Sequence, residues 1–367
     1  MSTDGTALLM GDTSAWYHWG CSCTSLGVHA ELRERWQRVR SLPMHRMAEL
    51  AGLPASVEDF DSDRVFESFA ATNAELMAVL EQCDRVYVNG EGTLHGTGPA
   101  AITLLYLMHV ARTRLDREVH LINHSSYPDD SIDSTDSPAA GLYRQVLSGL
   151  DFVGVREPAS FRLLADLGVE AVQSFDCLPL FLARHYRPVD SDDKETGATS
   201  RRVIVAGSAA WGSTDAVDAL GGFLNSLKER DFQPVVLLGA ARYLAADDVI
   251  FAERLAKAAP GAFEVNLVSS ELDWLRAIDE AALLVSGRFH HTIAAAFLNT
   301  PFLVMESNTP KISGLLEALG SESFLSIADA ANGLADAAMP RVERPAEFYI
   351  DSDRQEQLRQ LSCLNFV

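Results

Sequence analysis

The sequence predicts an α/β fold of two Rossmann-like domains facing a cleft. Short apolar runs rich in β-branched residues alternate with helical stretches on both sides of a polar interruption. The length, 367 residues, suits two domains of roughly 180 residues each better than one small core. The interruption is HYRPVDSDDKETGATS, from His185 to Ser200, charged and without apolar periodicity, as exposed linkers are. The expected boundaries are 1–186 for the first domain, 187–200 for the linker, 201–350 for the second domain and 351–367 for a helix returning to the first.

In the first domain the candidate strands are Ala7 to Met10, Arg85 to Val88, Val119 to Asn123 and Asp151 to Val155. Helices are expected near Leu26 to Val39, Val65 to Gln82, Pro99 to Thr113, Pro138 to Leu150 and Pro158 to Leu167. Pro99, Pro138 and Pro158 fit a first helical turn, where the missing N–H has no partner to lose. In the second domain the strands are Arg202 to Ala206, Pro234 to Gly239, Phe263 to Leu267, Ala281 to Val285 and Phe302 to Met305. Helices there begin near Thr214, Ala246, Glu271, His290 and Lys311. Open α/β sheets bind ligands beyond the C-terminal ends of their strands, so two such domains would share a cleft lined by strand-end loops.

Composition narrows the function. With 51 acidic and 30 basic side chains the formal charge is −21, which argues against nucleic acid as a partner. An anionic substrate would be repelled everywhere except at a local basic cluster. Lysines are few (Lys194, Lys228, Lys257, Lys311) against 26 arginines, so a lysine in a motif is the stronger signal. The five scattered cysteines, Cys21, Cys23, Cys83, Cys177 and Cys363, suit a reducing compartment rather than a disulfide framework. No basic-then-apolar leader and no apolar stretch of bilayer length is present, so a cytoplasmic location is expected. An assembly of identical subunits is compatible with this reading.

The most informative segment is AALLVSGRFHHTIAAAFLNTPF, from Ala281 to Phe302. Ser286-Gly287 break a strand buried on both faces, which sets Arg288, His290 and His291 at the junction with an Ala-rich helix. A helix N-terminus favours negative charge, and a guanidinium can grip a phosphate or carboxylate through two bonds. The competing possibility is that Arg288 pairs with a nearby carboxylate while the histidines cap the helix or pack beneath it.

Other strand ends carry further candidates. NGEGTLHG after Arg85 to Val88 reads as a glycine-rich turn leading to a helix. In it Gly90 and Gly92 admit close approach of a ligand, and Glu91 and His95 could exchange protons with it. It is not a dinucleotide fingerprint, and the alternative is a tight turn with Glu91 in solvent. Arg156 places a second arginine at a strand end, either facing Arg288 across the cleft or paired with Glu157. Asp12 lies in the loop Gly11-Asp12-Thr13, ahead of the aromatic run Trp16-Tyr17-His18-Trp19, which could stack on a sugar, cover the site or belong to the core. Lys311 begins a helix after the strand Phe302 to Met305, where it could neutralise a phosphate or be a surface lysine.

Taken together, VNGEGTLHG, GVREPASFRLLADLG, SFDCLPLF and above all SGRFHHTIAAAFLNTPFLV, with a lysine before SGLLEALG, resemble the polysaccharide pyruvyl transferase family. The resemblance runs from Gly11 to Gly320. It implies a glycosyltransferase-B-like architecture, with the acceptor on the N-terminal domain and the donor on the C-terminal one. It also implies transfer of the enolpyruvyl carbons of phosphoenolpyruvate to sugar hydroxyls, usually as a pyruvate ketal in cell-surface polysaccharide or glycoconjugate biosynthesis. Phosphoenolpyruvate is then a substrate, with no separate cofactor or metal, and the acceptor is a sugar on a nucleotide or lipid carrier. By position, Arg156, Arg288 and His290 match residues that hold or activate the donor, with His291 and Lys311 as softer matches. Asn89-Gly90-Glu91-Gly92 departs from the run of glycines in many relatives, which leaves the acceptor sugar open.

The chief rival is a nucleotide-sugar-dependent glycosyltransferase of the same architecture. In that reading the loop from Gly207 to Gly212 would hold phosphates, Trp211 would stack on the base, and Glu306 would take ribose hydroxyls. A noncatalytic carbohydrate-binding protein on the same fold is the third possibility.

Overall fold

Both sheets are wholly parallel, as strands that are apolar on both faces require. The computed structural model describes residues 3–15, 18–129, 135–188, 200–207, 214–238, 246–306 and 309–367. The chain divides into two units. Met1–Ala15, Thr24–Leu180 and Leu358–Val367 form unit 1, and Trp16–Cys23 with Phe181–Gln357 form unit 2.

In the first half, β1 (Thr3–Asp12) leads into α1 (Trp19–Arg35) and β2 (Trp36–Pro43), followed by α2 (Met44–Met47), α3 (Asp63–Thr72) and α4 (Ala74–Gln82). Next come β3 (Arg85–His95), α5 (Pro99–His109), β4 (Glu118–Tyr127) and α6 (Pro138–Leu147). β5 (Phe152–Val155), α7 (Pro158–Asp166), β6 (Val172–Gln173) and α8 (Leu178–His185) complete this half. The strands of unit 1 lie in the order β2-β1-β3-β4-β5-β6. Chain direction across the sheet therefore reverses between β1 and β3, where Met10 pairs with Val88. Such a reversal leaves a crevice at the strand ends.

Three sequence expectations change here. Residues 36–39, expected to continue the first helix, begin an edge strand. Its spacing of Trp36, Val39 and Leu42 is also that of a helical face, so periodicity alone could not separate the two. The single helix expected over 65–82 is broken at Asn73, whose Nδ2 donates to the carbonyls of Phe69 and Ala51, both at 2.8 Å. The glycine-rich segment after Val88 is not a turn into a helix. β3 runs on to His95 and pairs Glu91 with His124 and Leu94 with Ser126, its register shifting between them at Gly92 and Thr93.

In the second half, β7 (Arg202–Ala206), α9 (Thr214–Glu229), β8 (Gln233–Leu237), α10 (Ala246–Ala258) and β9 (Glu264–Asn266) form one wing. α11 (Glu271–Asp279), β10 (Leu283–Ser286), α12 (Phe289–Phe297), β11 (Phe302–Met305), α13 (Lys311–Leu319) and β12 (Phe324–Leu325) form the other. The long α14 (Ile327–Glu343), not anticipated from the sequence, precedes α15 (Ser352–Cys363). The order β12-β11-β10-β7-β8-β9 is that of a Rossmann sheet, reversing between β7 and β10. α12 is almost entirely buried, its alanines letting it lie close to the sheet.

Residues 358–367 pack in unit 1. The Asn365 side chain accepts from the Asn123 N–H at 2.7 Å and donates to the Phe175 carbonyl at 2.9 Å. The Ser362 hydroxyl donates to the Asp176 carbonyl at 2.7 Å.

Candidate functional site

Each sheet reversal carries a cluster of polar side chains. In unit 2, Arg288 follows β10 directly and is the N-cap residue of α12, with extended backbone (φ −96°, ψ 128°) and no side-chain cap on the helix. The first turn of α12 contains no acidic residue. The positive end of the helix dipole therefore makes this position hospitable to an anion. The guanidinium is oriented from two sides: Nη2 pairs with Asp248 on α10, and Nη1 donates to His18 Nδ1 at 3.2 Å. Its buried Nε–H has no hydrogen-bond partner among the described residues, and an orphaned buried donor of this kind requires explanation.

His290 occupies the second position of α12. Its Nδ1 lies 3.7 Å from Cys21 Sγ, on the first turn of α1. His291 points elsewhere. It is buried, and its Nε2 accepts from the indole N–H of Trp274 at 3.1 Å. Burial, reinforced by the positive charge of Arg288 and by the rings of His18 and His290, pushes its pKa well below the usual histidine range. The ligand contact expected for His291 is therefore corrected: it is a neutral interior group bracing α12 against α11. Lys311 is half-buried at the first position of α13.

In unit 1 the reversal gathers Asp12, Thr13, Ser25, Asn89 and Glu91. Glu91 is 5% exposed and sits at φ +41°, a left-handed conformation uncommon for a side chain other than glycine. Its Oε1 accepts from Thr13 Oγ1 at 2.6 Å and from Asn89 Nδ2 at 3.1 Å. Asn89 also accepts from Asn123 Nδ2 at 2.8 Å, which ties β3 to β4 through their side chains. Glu91 is thus held in place rather than standing in solvent. Gly90 is obligatory for packing, since a Cβ there would lie 2.5 Å from the Cβ of His124. Gly92 and His95 are half-buried, and His95 closes β3 opposite Tyr127.

Two further expectations are corrected in unit 1. Arg156 does not present its guanidinium to a ligand: it is 2% exposed, its Nε donates to Ser125 Oγ at 3.0 Å, and Nη1 pairs with Asp176 Oδ2 at 2.9 Å. Asp176, itself fully buried, also accepts from Thr24 Oγ1 at 3.2 Å and the Leu178 N–H at 2.9 Å. Glu157, the neighbouring carboxylate, caps α7 and bonds to Tyr127. Asp12 is likewise engaged internally, with His29 Nε2 at 3.0 Å and the Ser14 N–H at 2.8 Å. Burial alone would raise its pKa, but those partners hold it well below the usual carboxylate range.

The sequence singled out Arg288 as a cation and did not find Asp248, which half neutralises it, nor Cys21 as a neighbour of His290. Asp248 lies forty residues before Arg288, and no local pattern marks it. Of the aromatic run, Trp16 and Tyr17 lie outside the described residues, Trp19 is core, and His18 serves Arg288. Of the loop from Gly207 to Gly212, only Gly207 lies within the described residues. Glu306 is half-buried at the end of β11.

The fold has close counterparts among solved structures. UDP-GlcNAc 2-epimerase from Neisseria meningitidis, bound to UDP-GlcNAc, matches with a TM-score of 0.60 at 12% identity over 99% of this chain and 98% of that one. UDP-GlcNAc 2-epimerase from Methanocaldococcus jannaschii, in complex with UDP-GlcNAc and UDP, matches with a TM-score of 0.56 at 8% identity over 100% of both chains. The glycotransferase of kitacinnamycin matches with a TM-score of 0.52 at 14% identity over 99% and 96%. No curated protein matches the chain in sequence.

These likenesses define the class: an α/β protein of two Rossmann-like domains with the glycosyltransferase-B-like fold. The family model described as polysaccharide pyruvyl transferase matches residues 15–309, which include β3, β10, α12 and the Arg288 and His290 positions. The chain belongs to the polysaccharide pyruvyl transferase family, and the protein is a transferase. Among the described residues no helix is long and apolar enough to cross a membrane.

Proposed function

We propose that the enzyme moves the enolpyruvyl group of phosphoenolpyruvate to hydroxyls of a sugar, closing a pyruvate ketal on a cell-surface polysaccharide or glycoconjugate precursor. The observation that carries this is the junction of β10 and α12, where an oriented guanidinium, a helix N-terminus with no acidic residue in its first turn and the His290 imidazole come together in a chain of net charge −21. Phosphoenolpyruvate carries roughly −2.5 to −3 at neutral pH, given ordinary phosphomonoester ionisation. Its carboxylate and phosphate match that donor set.

In this reading Arg288 and the first turn of α12 hold the donor, with Lys311 as a second cation for its phosphate. Asp248 keeps the guanidinium from rotating away. His290 delivers a proton to the methylene carbon, whose π electrons form the new C–H bond and leave the central carbon electrophilic. A sugar hydroxyl attacks that carbon and releases its proton to a general base, for which Glu91 is the candidate and His95 the alternate. A second hydroxyl then attacks as the C–O bond to phosphate breaks, its proton passing to the departing phosphate, which completes the ketal and releases inorganic phosphate. Arg156 has an interior role, securing the strand ends that support Glu91. The acceptor is a sugar on a nucleotide or lipid carrier, and no cofactor is assigned.

Phosphorus NMR tests the donor directly. Phosphoenolpyruvate should be converted to inorganic phosphate only when a glycan acceptor is present, and a pyruvate ketal methyl signal should appear in the proton spectrum. Release of a nucleoside diphosphate from a nucleotide sugar, with phosphoenolpyruvate untouched, would establish the rival reading instead. Removing the acid in His290→Ala should lower turnover about 100- to 10,000-fold. Arg288→Lys should also fail, because a point charge does not reproduce a planar fork.

A further inference from the structure

Three residues at the start of α1 are fitted closely to the donor-side helix, and the proposed function leaves them unused. Gly20 lies against His290 so tightly that a Cβ added there would overlap the His290 Cβ and also lie 2.8 Å from its Cγ. Cys21 follows, with its Sγ 3.7 Å from His290 Nδ1. Ser22 then anchors the turn, its hydroxyl donating to Glu271 Oε1 on α11 at 2.7 Å. The contact between sulfur and ring nitrogen is therefore braced on both sides along the chain. Cys21 also differs from Cys23, Cys83 and Cys177, which are buried, in being only partly buried.

We propose that Cys21 is a positioning residue for His290. Its thiol holds Nδ1, so that the neutral ring carries its proton on Nε2 and turns that edge toward the reactants. The two nitrogens of an imidazole are not equivalent, and the hydrogen bond made by one decides the proton on the other. A thiol is a weak donor and a weak acceptor, so the contact survives when the ring takes a second proton. Gly20 is the companion requirement, because any side chain there drives the ring off the sulfur. The catalytic consequence rests on the proposed role of His290 as acid, whereas the structural claim does not.

The test uses the full chain with imidazole nitrogens labelled, as wild type, Cys21→Ser and Cys21→Ala. In nitrogen NMR at a pH where the ring is neutral, His290 should be protonated on Nε2 in wild type and Cys21→Ser, and should become a tautomer mixture in Cys21→Ala. Turnover with phosphoenolpyruvate should fall roughly tenfold in Cys21→Ala with KM little changed, the scale on which ring-orienting partners act, and should recover in Cys21→Ser. Identical His290 spectra in all three proteins, or a wild-type ring protonated on both nitrogens against a thiolate, would overturn the proposal. If wild type leaves phosphoenolpyruvate unconsumed, the donor assignment fails, and the spectra still decide whether Cys21 sets the tautomer.

Discussion

Replacing Asp176 by Asn probes whether Arg156 is an interior strut or a ligand grip. The substitution keeps the size of the side chain and an oxygen for the Thr24 hydroxyl and the Leu178 N–H, and replaces the charged acceptor facing the guanidinium by an amide donor. Arg156 is 2% exposed and Asp176 0%, so water cannot screen the stranded cation. Breaking a buried pair from one side costs about 3–5 kcal/mol, against about 1.5–3 kcal/mol for a single hydrogen bond to a charged group. A loss of roughly 3 kcal/mol is expected, a large share of the typical 5–15 kcal/mol stability of a domain. Urea unfolding followed by circular dichroism measures it. The double variant Arg156→Met/Asp176→Asn should be more stable than Asp176→Asn alone, because no unpaired charge remains inside. A loss below about 1 kcal/mol in Asp176→Asn would refute the reasoning. So would an Arg156→Met protein of unchanged urea midpoint that no longer binds phosphoenolpyruvate, since its guanidinium would then have been reaching the ligand.

Acid sensitivity should trace in part to His124. Burial, with the Arg156 charge adding to it, pushes its pKa from 6.5 to about 3 even though its Nδ1–H donates to the Gly154 carbonyl. Between those values the unfolded chain binds the extra proton and the folded chain does not, so stability falls as pH drops below about 6.5, by roughly 2 kcal/mol at pH 5. In His124→Asn the urea midpoint should decline less steeply from pH 7 to pH 5, and an unchanged slope would count against the assignment. Gly90→Ala places a methyl 2.5 Å from the His124 Cβ, and overpacking of this kind costs about 1–3 kcal/mol. A melting temperature equal to that of wild type would show that the strand yields instead. Asp248→Asn should strengthen phosphoenolpyruvate binding about tenfold, equivalent to about 1.4 kcal/mol, because the guanidinium charge is no longer half neutralised. Calorimetric titration showing equal or weaker binding would mean that orientation by Asp248 outweighs competition.

The fold was legible where burial is periodic. β7, β10 and β11 are apolar on both faces, and α12 follows a strand break at Ser286-Gly287, so their types follow from local pattern alone. β2 was not legible, because only Trp36 in it is buried and its apolar spacing suits either structure. The extension of β3 through Gly90 and Gly92 was hidden for a different reason: glycines signal a turn in isolation, yet Gly90 here admits His124 of the neighbouring strand.

The same division runs through the candidate site. From residue order alone came the placing of Arg288 and His290 at a helix head beyond a buried strand, and with it the expectation of an anionic ligand. Which charges remain available to such a ligand was decided by tertiary structure: Asp176 takes Arg156, Asp248 shares Arg288, Trp274 claims His291, and Cys21 meets His290. Local pattern reports which face of an element is buried, because burial repeats with the period of the backbone. The partner of a buried charge has no period, since it arrives from a distant segment and is chosen by the energy of leaving that charge unmatched.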